Sequence, residues 1–294
     1  MKLVIENVSK KFKDKWAVRE FSAEMSDGIY GLLGPNGSGK TTLMRMVASI
    51  LKPTAGRILL DDRDISTLDE SYRDLLGYLP QEFGLYQNFT AERFLDYFAS
   101  LKGLGKQEAK DRVDEVLDLV NLTKHKKQKT KTFSGGMKRR LGIAQALLND
   151  PKILVVDEPT AGLDPKERIH FRNLISNISR GRIVILSTHI VSDIEFIAKE
   201  IFIMEQGELK DRSDLAGLLQ MMVGKVWKVV VPEDDLLKMQ SLHKVANIQR
   251  NEAGVELRVI SDVKPAIAAT ELPATLEDIY LYYFGEEAFQ DVQA

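Results

Sequence analysis

The chain has 294 residues, 44% hydrophobic and 29% charged, enough for one large core and a smaller one. Its 41 basic and 43 acidic residues cancel to a net charge of -2, which argues against the positive field of a nucleic-acid binder. There is no cysteine, so disulfides, zinc-thiolate sites and cysteine catalysis are excluded.

The N-terminal Met1-Lys2-Leu3-Val4-Ile5-Glu6 lacks the apolar stretch of a signal peptide. The most apolar runs, Ile153 to Val156 and Ile183 to Leu186, fall far short of the roughly 20 residues that span a bilayer. The expected chain is soluble or peripheral, and any membrane work falls to a partner.

In chain order, short apolar runs alternate with segments of helical period, the βαβ pattern of a mainly parallel sheet. Residues 29–33 read as a buried strand ending in a glycine loop. Leu43, Met46, Val47, Ile50 and Leu51 predict an amphipathic helix, with Pro53 and Gly56 as its stop. Further strands are predicted at 57–60, 75–79, 153–156, 183–187 and 201–204. From 85 to 150 the strand signal disappears. Leu95 with Phe98, then Val113, Val116, Leu117 and Val120, mark two helices, and 136–149 reads as a third. After 215 the pattern changes to strands at 225–231 and 255–260 and a helix at 275–284. The expected organisation is an α/β domain over 1–216 with a helical subdomain inserted at 85–150, then a small α+β domain over 217–294. The run Lys124-His125-Lys126-Lys127-Gln128-Lys129-Thr130-Lys131 reads as a solvated loop, with contact to anionic lipid headgroups as the alternative.

Gly34-Pro35-Asn36-Gly37-Ser38-Gly39-Lys40-Thr41, followed by Thr42, has the composition and the strand-to-helix setting of a phosphate-binding P-loop. Its glycines let backbone N–H groups turn around phosphates, and the helix N-terminus adds a positive dipole. Lys40 supplies a point charge for the terminal phosphates of ATP, and the Thr41 hydroxyl can ligate Mg2+. The predicted strand at 153–156 runs into Asp157 and Glu158. That pair alone could cap a helix; beside a P-loop, Asp157 suits Mg2+ and Glu158 suits the attacking water. Ser134-Gly135-Gly136-Met137 could be a plain helix cap or a second anion site. One nucleotide does not need two such sites in one chain, but an ATP lying between two chains does.

With these motifs in this order, residues 1–215 resemble the ABC ATPase family. The resemblance implies a P-loop NTPase core and a dimer around two ATP, docked on a separate transmembrane permease at the cytoplasmic face of the membrane. It makes Ser134-Gly135-Gly136-Met137-Lys138 the signature, Gln81 the Q-loop glutamine that senses Mg2+ and the γ-phosphate, Asp164 the D-loop aspartate and His189 the switch histidine. Phe12 takes the place of the aromatic that stacks on adenine, or else packs the core. Met137 stands where glutamine is commoner, and Phe12 where tyrosine is. The aromatic segment 83–89 either faces the permease or packs the helical subdomain. Leu79 to Tyr86, the signature region and Thr275-Leu276-Glu277-Asp278-Ile279-Tyr280 look like the drug, lipid and antimicrobial-peptide export branch. An importer subunit is the alternative. A soluble ABC ATPase acting on DNA or ribosomes fits less well, since one P-loop and a short spacing to Ser134 leave no room for a coiled coil or a second cassette.

Overall fold

The computed structural model describes residues 1–252 and 254–288. The expected last domain also takes in Ala253 and 289–294, which lie outside the described residues. The chain divides into two compact units, Met1–Asp211 and Arg212–Ala294.

The first unit opens with two strands that the sequence analysis did not predict, β1 (Leu3–Phe12) and β2 (Lys15–Met25). With β4 (Ala55–Leu60) and β5 (Arg63–Asp64) they form a separate antiparallel sheet, ordered β2-β1-β4-β5. The strand expected at 57–60 therefore exists but lies outside the parallel sheet. Short helices α2 (Ile65–Leu68) and α3 (Glu70–Asp74) follow.

The main sheet has six strands. In chain order these are β3 (Gly28–Leu33), β6 (Leu76–Leu79), β7 (Ile153–Asp157), β8 (Ile183–Thr188), β9 (Glu200–Glu205) and β10 (Glu208–Ser213). Their spatial order is β10-β9-β3-β8-β7-β6, and the pairings from β9 to β6 are parallel. β7 and β8 are buried at every position. Covered on both faces, such strands read as continuous apolar runs rather than alternating ones.

Helix α1 (Lys40–Val47) follows β3 and buries Leu43, Met44, Met46 and Val47 against both sheets. It ends earlier than Pro53 and Gly56 would dictate. Ser49 takes a left-handed φ of 56°. The amides of Ser49 and Ile50 then turn back to the carbonyls of Met46 and Arg45. This is a Schellman stop, and it leaves Ile50 exposed despite its place in the apolar pattern.

Between β6 and β7 lie α4 (Ala91–Leu101), α5 (Lys106–Leu119) and α6 (Gly135–Ala146). After β7 comes α7 (Pro165–Ile178). The lysine run is a short-turned loop in which Lys124, Lys127, Lys129 and Lys131 are exposed, while Lys126 pairs with Asp114.

The second unit contains α8 (Leu215–Met221), β11 (Val226–Val231), α9 (Leu236–Leu242), β12 (Lys244–Asn251), β13 (Gly254–Ile260), β14 (Thr270–Glu271) and α10 (Leu276–Ala288). Its antiparallel sheet runs β12-β13-β11-β14 over a core that includes Val229, Leu236, Val255, Leu257 and Val259.

Candidate active site

The strand-to-helix turn between β3 and α1 holds the phosphate loop. Gly39 caps α1 with φ 102°, and a side chain there would strike the Ala17 carbonyl at 2.3 Å. Both facts require glycine. Gly37, at φ 81°, faces open space. Lys40 is 4% exposed, and its Nζ donates to the carbonyls of Gly34 and Pro35 at 2.7 and 2.9 Å. Burial lowers the Lys40 pKa, opposed by the charges of Glu158 and Asp157. Ser38 is buried and its Oγ has no hydrogen-bond partner among the described residues.

A cleft of about 460 Å3 opens beside this loop. Phe12, Asn36, Gly37, Gly39, Lys40, Thr41, Thr42, Gln81 and Glu158 line it, together with Lys15 and Ala17. The sequence reading missed the last two. Lys15 pairs in register with Phe12 across the β1–β2 turn, so the unread hairpin was the available signal. Phe12 is 49% exposed, which rules out the core-packing alternative and leaves its ring at the cleft wall.

Glu158 is where the polar groups meet. Its Oε1 lies 3.8 Å from Lys40 Nζ, and its Oε2 accepts from Gln81 Nε2 at 3.2 Å. His189 Nδ1 stands 3.3 Å from the same Oε2 but is not aligned as a hydrogen bond. Glu158 adopts φ 43°, a left-handed backbone unusual for its type. Ser187 Oγ braces that turn by accepting from the Glu158 amide at 3.0 Å and donating to Asp157 Oδ1 at 2.5 Å. The carboxylate of buried Asp193 accepts from the hydroxyls of Thr160 and Thr188, tying together the turns after β7 and β8.

Asp157 is fully buried, and Thr41 Oγ1 donates to its Oδ1 at 3.2 Å. Its Oδ2 has no hydrogen-bond partner among the described residues. An orphaned carboxylate oxygen beside a hydroxyl is a donor set that suits a hard divalent cation. No cluster of three acidic, histidine or cysteine ligands occurs among the described residues, so such a cation would complete its shell from nucleotide and water.

Ser134, Gly135, Gly136 and Asp164 do not line this cleft. Ser134 caps α6 by accepting from the Met137 amide, and Asp164 caps α7 by accepting from the Glu167 amide at 2.9 Å. Ser134, Gly135 and Asp164 are exposed.

The chain is similar to known proteins in sequence and fold. A profile of the family described as ABC transporter matches residues 19–161. The Nod factor export ATP-binding protein I of Burkholderia lata is 33% identical over 293 residues, covering 96% of each chain. The linearmycin resistance ATP-binding protein LnrL of Bacillus subtilis is 38% identical, over 70% of this chain and 67% of its own. Among solved structures, the dimeric ATP-binding cassette MJ0796 bound to ADP and Pi superposes with a TM-score of 0.65. That match is at 26% identity and covers 72% of this chain and 98% of the cassette. The chain therefore belongs to the ATP-binding proteins of the ABC transporter family. It is the ATP-hydrolysing subunit of such a transporter. No helix among the described residues is long and apolar enough to cross a membrane.

Proposed function

We propose that this chain binds ATP and Mg2+ in the Phe12–Lys40–Glu158 cleft, dimerises across the nucleotide, and drives export through a separate permease at the cytoplasmic face of the membrane. The convergence of Lys40, Gln81 and His189 on Glu158 carries this reading.

Phe12 offers a ring face to adenine, and the 34–39 loop offers backbone N–H groups to the phosphates. Lys40 exchanges its carbonyl partners for phosphate oxygens, where its buried charge acts at low dielectric. Thr41, Asp157 and Gln81 would hold Mg2+, which when bound neutralises phosphate charge. Glu158 accepts the proton of the attacking water or orients it, and His189 steadies the same carboxylate. The exposed Ser134, Gly135 and Asp164, with Gly136 behind them in the same turn, reach the nucleotide held by a second copy.

Export, rather than import, is supported by the full-length likeness to a Nod factor export protein. The aromatic surface around Tyr86, Phe89 and Tyr97 is the docking face for the permease. Tyr86 and Tyr97 are 48% and 40% exposed, and their rings lie 5.4 Å apart. Phe83 instead packs against α6 at Gly142 and Arg139.

Glu158→Gln tests the chemistry. The amide keeps the shape and loses the basic oxygen, so ATP still binds, turnover stops, and the protein elutes as an ATP-dependent dimer. Loss of ATP binding itself would assign Glu158 a structural role and remove the proposal's support.

A further inference from the structure

Two of the exposed turns assigned above to the partner's nucleotide are joined within one chain through a single carboxylate. Glu167 sits in the first turn of α7, and its amide is the one that Asp164 caps. Its side chain lies directly over the signature turn. A Cβ on Gly136 would meet Glu167 Oε2 at 2.2 Å and its Cδ at 2.6 Å. Gly136 has no left-handed backbone to explain it. With Glu167 in this position only a glycine fits beneath it, so any side chain at Gly136 would displace the carboxylate.

One helical turn further along α6, Arg140 Nε lies 3.7 Å from the same Oε2. Neither side chain is well exposed, at 17% for Arg140 and 25% for Glu167. Arg140 Nε is buried with no hydrogen-bond partner among the described residues, so its interaction with Glu167 is one of charge. Through Nη1 the guanidinium also donates to the carbonyls of Val120 and Asn121 at 3.3 Å, just past the end of α5. Arg140 thus joins α5, α6 and α7.

From this geometry we infer that Glu167 and Arg140 are positioning residues, holding the Ser134–Gly136 turn in register with Asp164 so that both meet the partner's nucleotide together. The inference rests on the shared-site reading. Glu167 does not line the cleft. Its removal therefore spares ATP binding by the single chain and acts on closure of the dimer.

The experiment uses Glu167→Gln, Arg140→Gln and the double variant, each also in the Glu158→Gln background. Glu167→Gln is nearly isosteric and leaves the Gly136 packing in place. Three quantities are measured: ATP affinity of the monomer, dimer dissociation constant with ATP by analytical ultracentrifugation, and single-turnover hydrolysis. Expected are unchanged monomer affinity in every variant and an unchanged melting temperature in Glu167→Gln; Arg140→Gln, which also loses its bonds to Val120 and Asn121, melts lower and serves only for comparison. Dimerisation weakens and single turnover slows about tenfold, since small misplacement of a reacting geometry has large effects on rate. The double variant is no worse than Arg140→Gln alone, because Glu167 acts on the turn through Arg140. Unchanged dimerisation and turnover in Glu167→Gln overturns the inference, as does a loss in that variant that tracks lower melting temperature or weaker monomer binding. If Glu158→Gln alone forms no ATP-dependent dimer, the shared-site reading itself fails.

Discussion

Lys40 Nζ stands 3.8 Å from Glu158 Oε1, and both side chains are almost wholly shielded from solvent. The pair links the phosphate loop to the end of β7, so each charge compensates the other in the nucleotide-free chain. Removing one partner leaves the other buried and uncompensated.

Lys40→Ala takes away the main cation facing the developing phosphate charge. Hydrolysis should fall by about 100-fold or more, the usual scale for a preorganised electrostatic group. Phosphate release by purified protein reads this out, and near-wild-type release contradicts the role given to Lys40.

His189→Ala removes the imidazole 3.3 Å from Glu158 Oε2. Because His189 does not line the cleft, ATP affinity should hold while turnover falls about 100-fold, the lower range for a positioned acid–base group. Equilibrium ATP binding and steady-state hydrolysis on the same sample separate the two effects. Equal loss of both would make His189 a folding residue.

Tyr86→Ser and Tyr97→Ser lie on the aromatic face, away from the cleft lining. Basal ATPase should persist, while association with the permease weakens by about 2 kcal/mol per residue if these rings are interface anchors. Co-purification with the permease checks it, and undiminished recovery of the complex argues against docking here.

In the second unit, Asp278 is the acceptor for Arg258 Nε and Nη2 at 2.8 and 2.6 Å and for the Thr275 hydroxyl at 2.8 Å. Burial pushes its pKa up, but the hydrogen bonds from Arg258 and Thr275 outweigh it, and the carboxyl is held below its ordinary 3.8. A depressed carboxyl contributes stability that is full above the unfolded value and lost as pH falls through the folded one. Asp278→Ala should therefore cost about 2 kcal/mol near neutrality, below the full buried-pair value because Arg258 keeps some solvent contact, and reduce the loss seen in acid. Urea unfolding followed by Trp227 fluorescence in a Trp16→Phe background measures this, as the chain has two tryptophans. Unchanged stability would show that the network is dispensable.

The chemistry-bearing motifs were legible because each needs particular residue types at fixed places around a phosphate. The strands of the parallel sheet were legible because burial on both faces leaves unbroken apolar runs at β7 and β8. β1 and β2 were not. Their pairing shifts register three times, and Asn7 and Glu20 have positive φ, so bulges break the alternation that marks a half-buried strand. Lys15 was lost with them. The end of α1 was misread because Ser49 in a left-handed conformation carries no strong sequence mark. The Glu167–Gly136 approach was invisible for another reason. It joins residues far apart in the chain, and only the packing of α7 on α6 creates it.

The central claim is that each ATP is held by Lys40 of one chain and closed by Ser134 of another. It is tested by mixing a Lys40→Ala chain with a Ser134→Arg chain, the arginine being too bulky for the exposed start of α6. Each variant alone forms dimers with both sites broken. A mixed dimer, verified by differential tags, collects both lesions in one site and leaves the other with an intact Lys40 and an intact Ser134. The account predicts single-turnover ATP hydrolysis in the mixture that neither variant shows alone. A mixture as inactive as its components would mean that Ser134 does not complete the partner's site, and would contradict the account.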